Sequence, residues 1–282
     1  MYKEKFMSSI QVMVNGLPGK VAAVVAKHLS TDSRFELMPY SLTGPEIEES
    51  VQEVGKISIG LIHPDKREYE LAGILKTYGS FISVDYTHPA AVNSNATFYC
   101  QNSLPFVMGT TGGDREALLG TVEDSGVAAV IAPNMVKQIV GFQAMMEWTA
   151  ETFPGLFKGY TLEINESHQK GKADTSGTAK AMVGYFNKLG LPFSVDEIRK
   201  ERNPERQQTV WGIPEEHLAG HGWHTYTLIS DDRTVKFQFT HNVNGREVYA
   251  HGTIDAILFL SEQLKQGVSG RAFSMIDVLK AG

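Results

Sequence analysis

Short apolar runs separated by helix-spaced segments fill the first half of the chain, and this alternation restricts the fold more than any other feature. The strand candidates are Gln11–Asn15, Phe35–Ser41, Lys56–His63, Phe81–Asp85, Pro105–Met108 and Val127–Ala132. Most are continuous rather than alternating in hydrophobicity, the pattern of parallel strands buried on both faces. Between them, Val21, Val24, Val25 and Leu29 form one helical stripe, and Tyr69, Ala72, Leu75 and Tyr78 another. Strand, helix and strand in repeated order predict an α/β domain with a doubly wound parallel sheet.

The rhythm changes near residue 134. Gln138–Thr152 has the spacing of a long helix, Tyr160–Ser167 that of a strand, and residues 177–188 that of a helix. Trp223–Ser230 and Thr234–Asn242 alternate and flank Asp231, Asp232 and Arg233, as an antiparallel hairpin would. A helix over Thr253–Leu264 follows. The expected division is a dinucleotide-binding domain over 1–134 and an α+β domain over 135–256. Residues 257–282 could return to the first domain; periodicity leaves that open.

Composition removes several classes of function. With 282 residues, 42% hydrophobic and 21% charged, the chain can build one large domain or two medium ones. A net charge of −6 provides no basic field for nucleic acid or an anionic membrane. No apolar run approaches the ~20 residues that span a bilayer. Residues 1–9 lack the apolar core of a secretory signal and read as a tail, or as what remains of a removed leader. Cys100 is the only cysteine, which excludes an internal disulfide, fits a reducing compartment and reads as buried filler.

Gly16, Leu17, Pro18, Gly19, Lys20, Val21 and Ala22 follow the first strand and open the first helix. In a Rossmann-like sheet Gly16 permits the tight turn, Gly19 admits a pyrophosphate to the backbone, and Ala22 allows close helix packing. The helix N-terminus then faces the anion. Two later loops fall beyond carboxyl ends of strands, where such sheets bind ligands. One is Asp85 to Pro89. The other is Gly109, Thr110, Thr111 and Gly112, which either offers amides and hydroxyls to a ribose or nicotinamide or merely caps a helix.

The richest segment runs from Glu166 to Ala179. Ser176, Gly177 and Thr178 begin a helix and form an anion site suited to a carboxylate. His168 and Lys172 lie just upstream and can converge on the same space, one as a proton donor and one as a fixed cation. That grouping suits reduction of an anionic imine or enamine, with hydride added to a ring carbon and an acid supplying the proton. A solvated surface loop is the competing reading. His217, His221 and His224 raise the question of a metal, but Gly220 and Gly222 oppose a helix there. No metal site is expected.

Taken together, these motifs resemble the dihydrodipicolinate reductase family of the lysine and diaminopimelate route. Its signature run appears as Glu166, His168, Lys172, Asp174, Ser176, Gly177, Thr178 and Ala179. The glycine loop, Asp85–Pro89, Gly109–Gly112, Ala132–Met135, Phe239–His241 and Arg246 match in order. The chain departs where Gln169 replaces a second His and a Pro is missing before Ser176. Both departures, and Gly220–Tyr226, resemble the plant-type branch. The resemblance implies NAD(P)H-dependent reduction of 4-hydroxy-tetrahydrodipicolinate to tetrahydrodipicolinate. It gives His168 as proton donor and Lys172 as the assisting cation. Gln169, Ser176, Gly177 and Thr178 become substrate contacts, and Pro133, Asn134 and Met135 further cofactor contacts. It also implies a homo-oligomer, dimer or tetramer, formed through the second domain. The compartment would be the plastid stroma if the chain is plant-like, with the transit peptide outside this chain, and otherwise the cytoplasm. The rivals are another imine reductase or amino-acid dehydrogenase on this fold, and a catalytically silent nucleotide-binding regulator.

Cofactor choice follows from the end of the second strand. No acid stands there to accept a ribose 2′-OH, and Glu46 and Glu48 come later and are expected to point into solvent. Ser41 and Thr43 offer hydroxyls to a phosphate and Lys20 adds charge. No arginine follows the strand. NADPH is therefore expected in modest preference to NADH.

Overall fold

The computed structural model describes residues 9–282, so the tail reading of residues 1–9 falls almost wholly outside the described residues. The chain begins β1 (Ile10–Asn15), α1 (Lys20–Thr31), β2 (Phe35–Leu37), β3 (Tyr40–Leu42), β4 (Val51–Val54) and β5 (Ile57–Ile62). It continues α2 (Arg67–Tyr78), β6 (Ile82–Asp85), α3 (Val92–Gln101), β7 (Phe106–Met108), α4 (Arg115–Ser125) and β8 (Ala128–Ile131). Next come α5 (Lys137–Thr152), β9 (Tyr160–His168), α6 (Gly177–Lys188), β10 (Arg199–Glu201) and α7 (Pro204–Thr209). The last elements are β11 (His221–Ser230), β12 (Lys236–Asn244), α8 (Glu247–Lys265), β13 (Arg271–Phe273) and α9 (Met275–Ala281).

Two compact units result, one ending at Lys137 and resuming at Glu247, the other spanning Gln138–Arg246. The return to the first unit begins at Glu247 rather than 257 because α8 runs unbroken from there, and β13 then joins the first sheet.

In the first unit six parallel strands lie in the order β13-β8-β7-β6-β1-β2. Val12, Met13 and Val14 of β1 are all sealed from solvent, which is why that run is continuous rather than alternating. Phe35–Ser41, expected as one strand, is two. Pro39 lacks an N–H for the ladder, so β2 stops beside β1 and β3 moves to pair with β5. Likewise Lys56–His63 does not enter the main sheet. Its strand, β5, is the centre of a three-stranded sheet, β3-β5-β4, parallel to β3 and antiparallel to β4.

The second unit carries a four-stranded sheet, β10-β9-β11-β12. Helix α6 contributes Ala179, Met182, Val183 and Phe186 to a core shared with Ile164, Tyr226 and Leu228 of the sheet. Register decides the chemistry of that face. Glu166 of β9 stands opposite His224 of β11, and His224 opposite His241 of β12. One step along, His168 stands opposite Gly222. Side chains paired across antiparallel strands share a face, so an acid and three imidazoles are drawn together.

Candidate active site

In the first unit, a cavity of about 820 Å3 opens at the carboxyl ends of β1, β3 and β6. The glycine loop supplies Gly16 through Lys20 to its wall, and Leu42 through Ile47, Arg67 and Tyr86 through His88 complete much of the rest. Gly16 has φ +101°, and a Cβ there would collide with the Tyr86 carbonyl. A Cβ at Gly19 would lie 2.6 Å from the Gly16 carbonyl oxygen. Both glycines are therefore required by backbone crowding. Helix α1 starts immediately afterwards with no acid in its first turn, leaving its amides and dipole available to an anion. Such a cradle is the kind that takes the pyrophosphate of a dinucleotide.

The loop is held from below by groups that were expected to bind ligand. Ser41 is sealed from solvent, its Oγ accepting the Leu17 N–H at 3.3 Å and donating to the Leu42 carbonyl at 3.3 Å. Thr43 Oγ1 donates to the Leu17 carbonyl at 2.6 Å. Neither hydroxyl is left for a phosphate, because the break at Pro39 turns β3 under the loop. Glu46 is exposed, as expected, and its carboxylate lies over Gly44 at the cavity wall. Arg67 enters the same wall from the start of α2, stacked 4.4 Å over the Phe98 ring. It was not foreseen, since only the tertiary fold brings α2 to this edge.

Asp85, at the end of β6, is sealed and organises the neighbouring loops. Its Oδ1 accepts from the Thr87 amide at 3.2 Å, Thr87 Oγ1 at 2.9 Å and Thr110 Oγ1 at 2.5 Å. Its Oδ2 accepts from Asn95 at 3.0 Å and Tyr99 at 2.7 Å. These five donors are all neutral. Gly109 packs on the Tyr86 ring, and the Gly109 and Thr110 amides both donate to the Asp85 carbonyl. Val21, Gly109, Thr110, Thr111, Pro133, Asn134 and Met135 are not among the residues that line the cavity. Met135 is buried, with its carbonyl against Gly252, while Thr111 and Pro133 are exposed.

In the second unit, the expected residues converge with others. His168 ends β9, and its Nδ1 lies 3.0 Å from the His221 carbonyl. Its Nε2 lies 3.4 Å from His224 Nε2. The Gln207 amide donates to the His168 carbonyl at 2.7 Å, fixing the backbone behind the ring. Lys172 Nζ pairs with Asp174 at 2.7 Å, and the Lys172 amide closes a turn on the Gln169 carbonyl. Ser176 is the N-cap of α6, yet its hydroxyl makes no capping bond, and the helix has no acid in its first turn. Gly177 is exposed and Thr178 half-buried, so that helix start remains open to an anion.

Glu166, quoted in the sequence only as part of the motif, is the buried hinge of the cluster. It accepts the Ser176 amide at 3.1 Å and pairs with Arg202. Arg202 also donates to the Lys172 carbonyl at 2.8 Å, so one guanidinium ties the motif loop to β9. Nothing in the local sequence around Arg202 signals this role. Burial works to raise the Glu166 carboxyl, but the His224 imidazole 3.7 Å away and hydrogen bonds from Arg202 and the Ser176 amide hold it well below the usual carboxylate range. Burial, and then the nearby His224, hold His168 below the usual imidazole value. His241 is pushed down to about 4, chiefly by burial.

Among the described residues, Glu166, His168 and His224 place one ligand atom each within 4.8 Å of one another. A metal ion would compete there with Arg202 for Glu166. It would also leave a buried His224 Nδ1–H with no acceptor, where metal-binding imidazoles ordinarily have one. The sequence raised a different trio, His217, His221 and His224, and set it aside as structural. His221 is occupied by Ser167 Oγ at 2.9 Å and the His217 carbonyl at 3.1 Å.

A parallel sheet with a glycine cradle at its carboxyl edge, and a second unit that gathers imidazoles around a buried Glu–Arg pair, are the parts of a nicotinamide-dependent reductase. Family models for the N-terminus and the C-terminus of dihydrodipicolinate reductase match residues 10–135 and 139–279. The chain belongs to the dihydrodipicolinate reductase family and is an oxidoreductase that uses a pyridine nucleotide. It is 48% identical over 274 residues to a protein of Oryza sativa subsp. japonica named probable 4-hydroxy-tetrahydrodipicolinate reductase 1, chloroplastic. That match covers 97% of this chain and 80% of the rice protein. The identity is 46% over 275 residues to 4-hydroxy-tetrahydrodipicolinate reductase 2, chloroplastic, of Arabidopsis thaliana, covering 98% and 78%. The fold is similar to that of the dipicolinate-bound dihydrodipicolinate reductase from Paenisporosarcina sp. TG-14, with a TM-score of 0.65 and 17% identity. That similarity covers 94% of this chain and 97% of the other.

Proposed function

We propose that the chain reduces 4-hydroxy-tetrahydrodipicolinate to tetrahydrodipicolinate, with NADPH preferred to NADH by a limited margin. The observation that carries this reading is the second-unit cluster. An open helix start, an imidazole and a lysine lie together around one buried Glu166–Arg202 pair. The reduced nicotinamide supplies the hydride. Ser176, Gly177 and Thr178 hold one carboxylate of the substrate at the α6 N-terminus. Lys172, released from its exposed partner Asp174, attracts the second negative charge, and Gln169 adds a hydrogen bond. His168 gives a proton to the ring as the hydride arrives. Its depressed pKa makes it neutral when the site is empty, and a bound dianion raises its proton affinity where the proton is needed.

In the first unit Gly16, Leu17, Pro18, Gly19, Lys20 and Val21 hold the pyrophosphate. Gly109, Thr110 and Thr111, with Pro133, Asn134 and Met135, contact the nicotinamide end in this proposal. Lys20 and Arg67 favour the 2′-phosphate. A homo-oligomer, dimer or tetramer, assembles through the second unit; the supporting feature is β12, an edge strand with Phe237 exposed. Placement in the plastid stroma rests on the chloroplastic relatives.

The test is a coupled assay in which pyruvate and aspartate semialdehyde generate the substrate in situ. Substrate-dependent loss of NADPH absorbance is expected, with competitive inhibition by pyridine-2,6-dicarboxylate. Nucleotide binding without turnover would replace this reading with that of a silent regulator.

A further inference from the structure

Residues 169–175, which carry Gln169 and Lys172 from β9 to α6, contain neither helix nor strand. Among the described residues a single backbone bond closes within that loop, from the Lys172 amide to the Gln169 carbonyl. A loop so short of its own bonds takes its shape from whatever holds its carbonyls. Two side chains at the corner between β10 and α7 do so. Gln207, sealed from solvent, donates to the His168 carbonyl at 2.7 Å, just where the loop begins. Arg202 Nε donates to the Lys172 carbonyl at 2.8 Å, and its Nη2 reaches the Asp174 carbonyl at 3.4 Å. The same Nη2 pairs with Glu166, whose other carboxylate oxygen takes the Ser176 amide at 3.1 Å at the start of α6.

We propose that Arg202 is a positioning residue for the substrate: by fixing this loop it sets the distance between Lys172 and the α6 start, which receive the two carboxylates of the dianion. This rests on the reading of those groups as the substrate site. Four of the five guanidinium N–H groups are committed inside the protein, so Arg202 acts through the loop and not by touching the substrate. A loop that ordered only on binding would weaken affinity by the fraction of molecules already ordered, while saturated enzyme would react at the same rate. Two anion subsites at a fixed separation also favour a rigid ring with two carboxylates over a ring with one.

The corner that presents Arg202 is itself pinned. Glu201 Oε1 accepts the Arg202 and Asn203 amides at 3.1 and 2.9 Å, and Glu201 Oε2 takes Arg206 at 2.8 Å. Arg202 Nη1 closes on the Glu201 carbonyl at 2.9 Å. A lysine in place of Arg202 would keep a charge beside Glu166. It has one nitrogen where the guanidinium has three, so it cannot reach the loop carbonyls as well.

Arg202→Lys therefore separates charge from positioning. In the coupled assay the substrate KM and the Ki of pyridine-2,6-dicarboxylate are expected to rise about tenfold, with kcat within about threefold of wild type. Pyridine-2-carboxylate, which needs only the α6 start, is expected to lose under about threefold, because Glu166 still holds the Ser176 amide. An unchanged KM, a loss confined to kcat, or equal losses for the two inhibitors would each overturn the proposal. A second measurement uses the wild-type protein alone. The Arg202 Nε–H resonance is expected to exchange slowly with solvent in the free protein and to stay in place when pyridine-2,6-dicarboxylate is added. A resonance that appears only with the inhibitor would mean that the ligand orders the loop, which overturns the proposal. If the wild-type protein shows neither turnover nor inhibitor binding, the functional reading fails, and the free-protein resonance still decides whether Arg202 holds the loop.

Discussion

The two units solve opposite problems. The first presents backbone: crowded glycines and free amides at a helix start, beside loops tied together by the five neutral donors around Asp85. The second gathers an acid, an arginine and three imidazoles on one sheet face, with a lysine nearby. Binding a nucleotide asks for shape and fixed dipoles, whereas moving a proton asks for groups that can exist in two states. The contrast teaches that damage to one unit should be separable from damage to the other.

The largest expected effect tests that separation directly. His168→Ala removes a positioned general acid, which costs about 10²–10⁴ in rate. The prediction is a kcat loss of that order with NADPH affinity, measured by fluorescence titration, unchanged. A variant that turns over normally would place the proton source elsewhere. One that loses nucleotide affinity as well would break the division of labour.

A smaller effect comes from acid. His168, His221 and His241 are all held below the ordinary imidazole value of 6.5, in each case chiefly by burial. Between about 6.5 and about 4 the unfolded chain therefore binds protons that the fold excludes. Stability is fully present above the unfolded value and is lost as pH falls through that window. Glu166, also depressed, adds to the loss at still lower pH. Trp148, Trp211 and Trp223, the chain's three tryptophans, all lie in the second unit, so their fluorescence reports on it alone. Its denaturant midpoint is expected to drop across that window, ahead of any loss of amide-exchange protection in β1 and β6. A midpoint independent of pH there would contradict the buried neutral imidazoles.

The same contrast explains what could be read from the sequence. The glycine cradle and the α6 start were legible because each is local, a strand or loop running into a helix within a few residues. Helix α6 was expected over the span it occupies, residues 177–188. His168 and Lys172 could be named because they lie within ten residues upstream of that helix, one ending β9 and one in the loop that follows. Arg202 and Arg67 were not legible, since each reaches its site through tertiary folding and carries no pattern of its own. Ser41 was misplaced because Pro39 ends one strand and turns the next beneath the loop. The approach of His224 to Glu166 depends on cross-strand register, which no single strand's sequence contains.

The smallest effect concerns cofactor choice and would sharpen the picture of the first unit as a site of fixed charge. With Ser41 and Thr43 spent on Leu17, discrimination between NADPH and NADH falls to the charged side chains of the cavity wall, Lys20, Arg67 and Glu46. Glu46 opposes the other two, and it is exposed, so solvent screens it. Removing a single screened charge changes binding by under about 1 kcal/mol, or several-fold. Glu46→Gln is therefore expected to raise the NADPH-to-NADH ratio of kcat/KM by about three- to fivefold. Arg67→Gln should lower it, by more, because the guanidinium is fixed on the Phe98 ring and half-buried. Both measurements use one substrate concentration series per cofactor. If neither substitution moves the ratio, the 2′-phosphate is held outside this wall, and the cavity selects for the pyrophosphate alone.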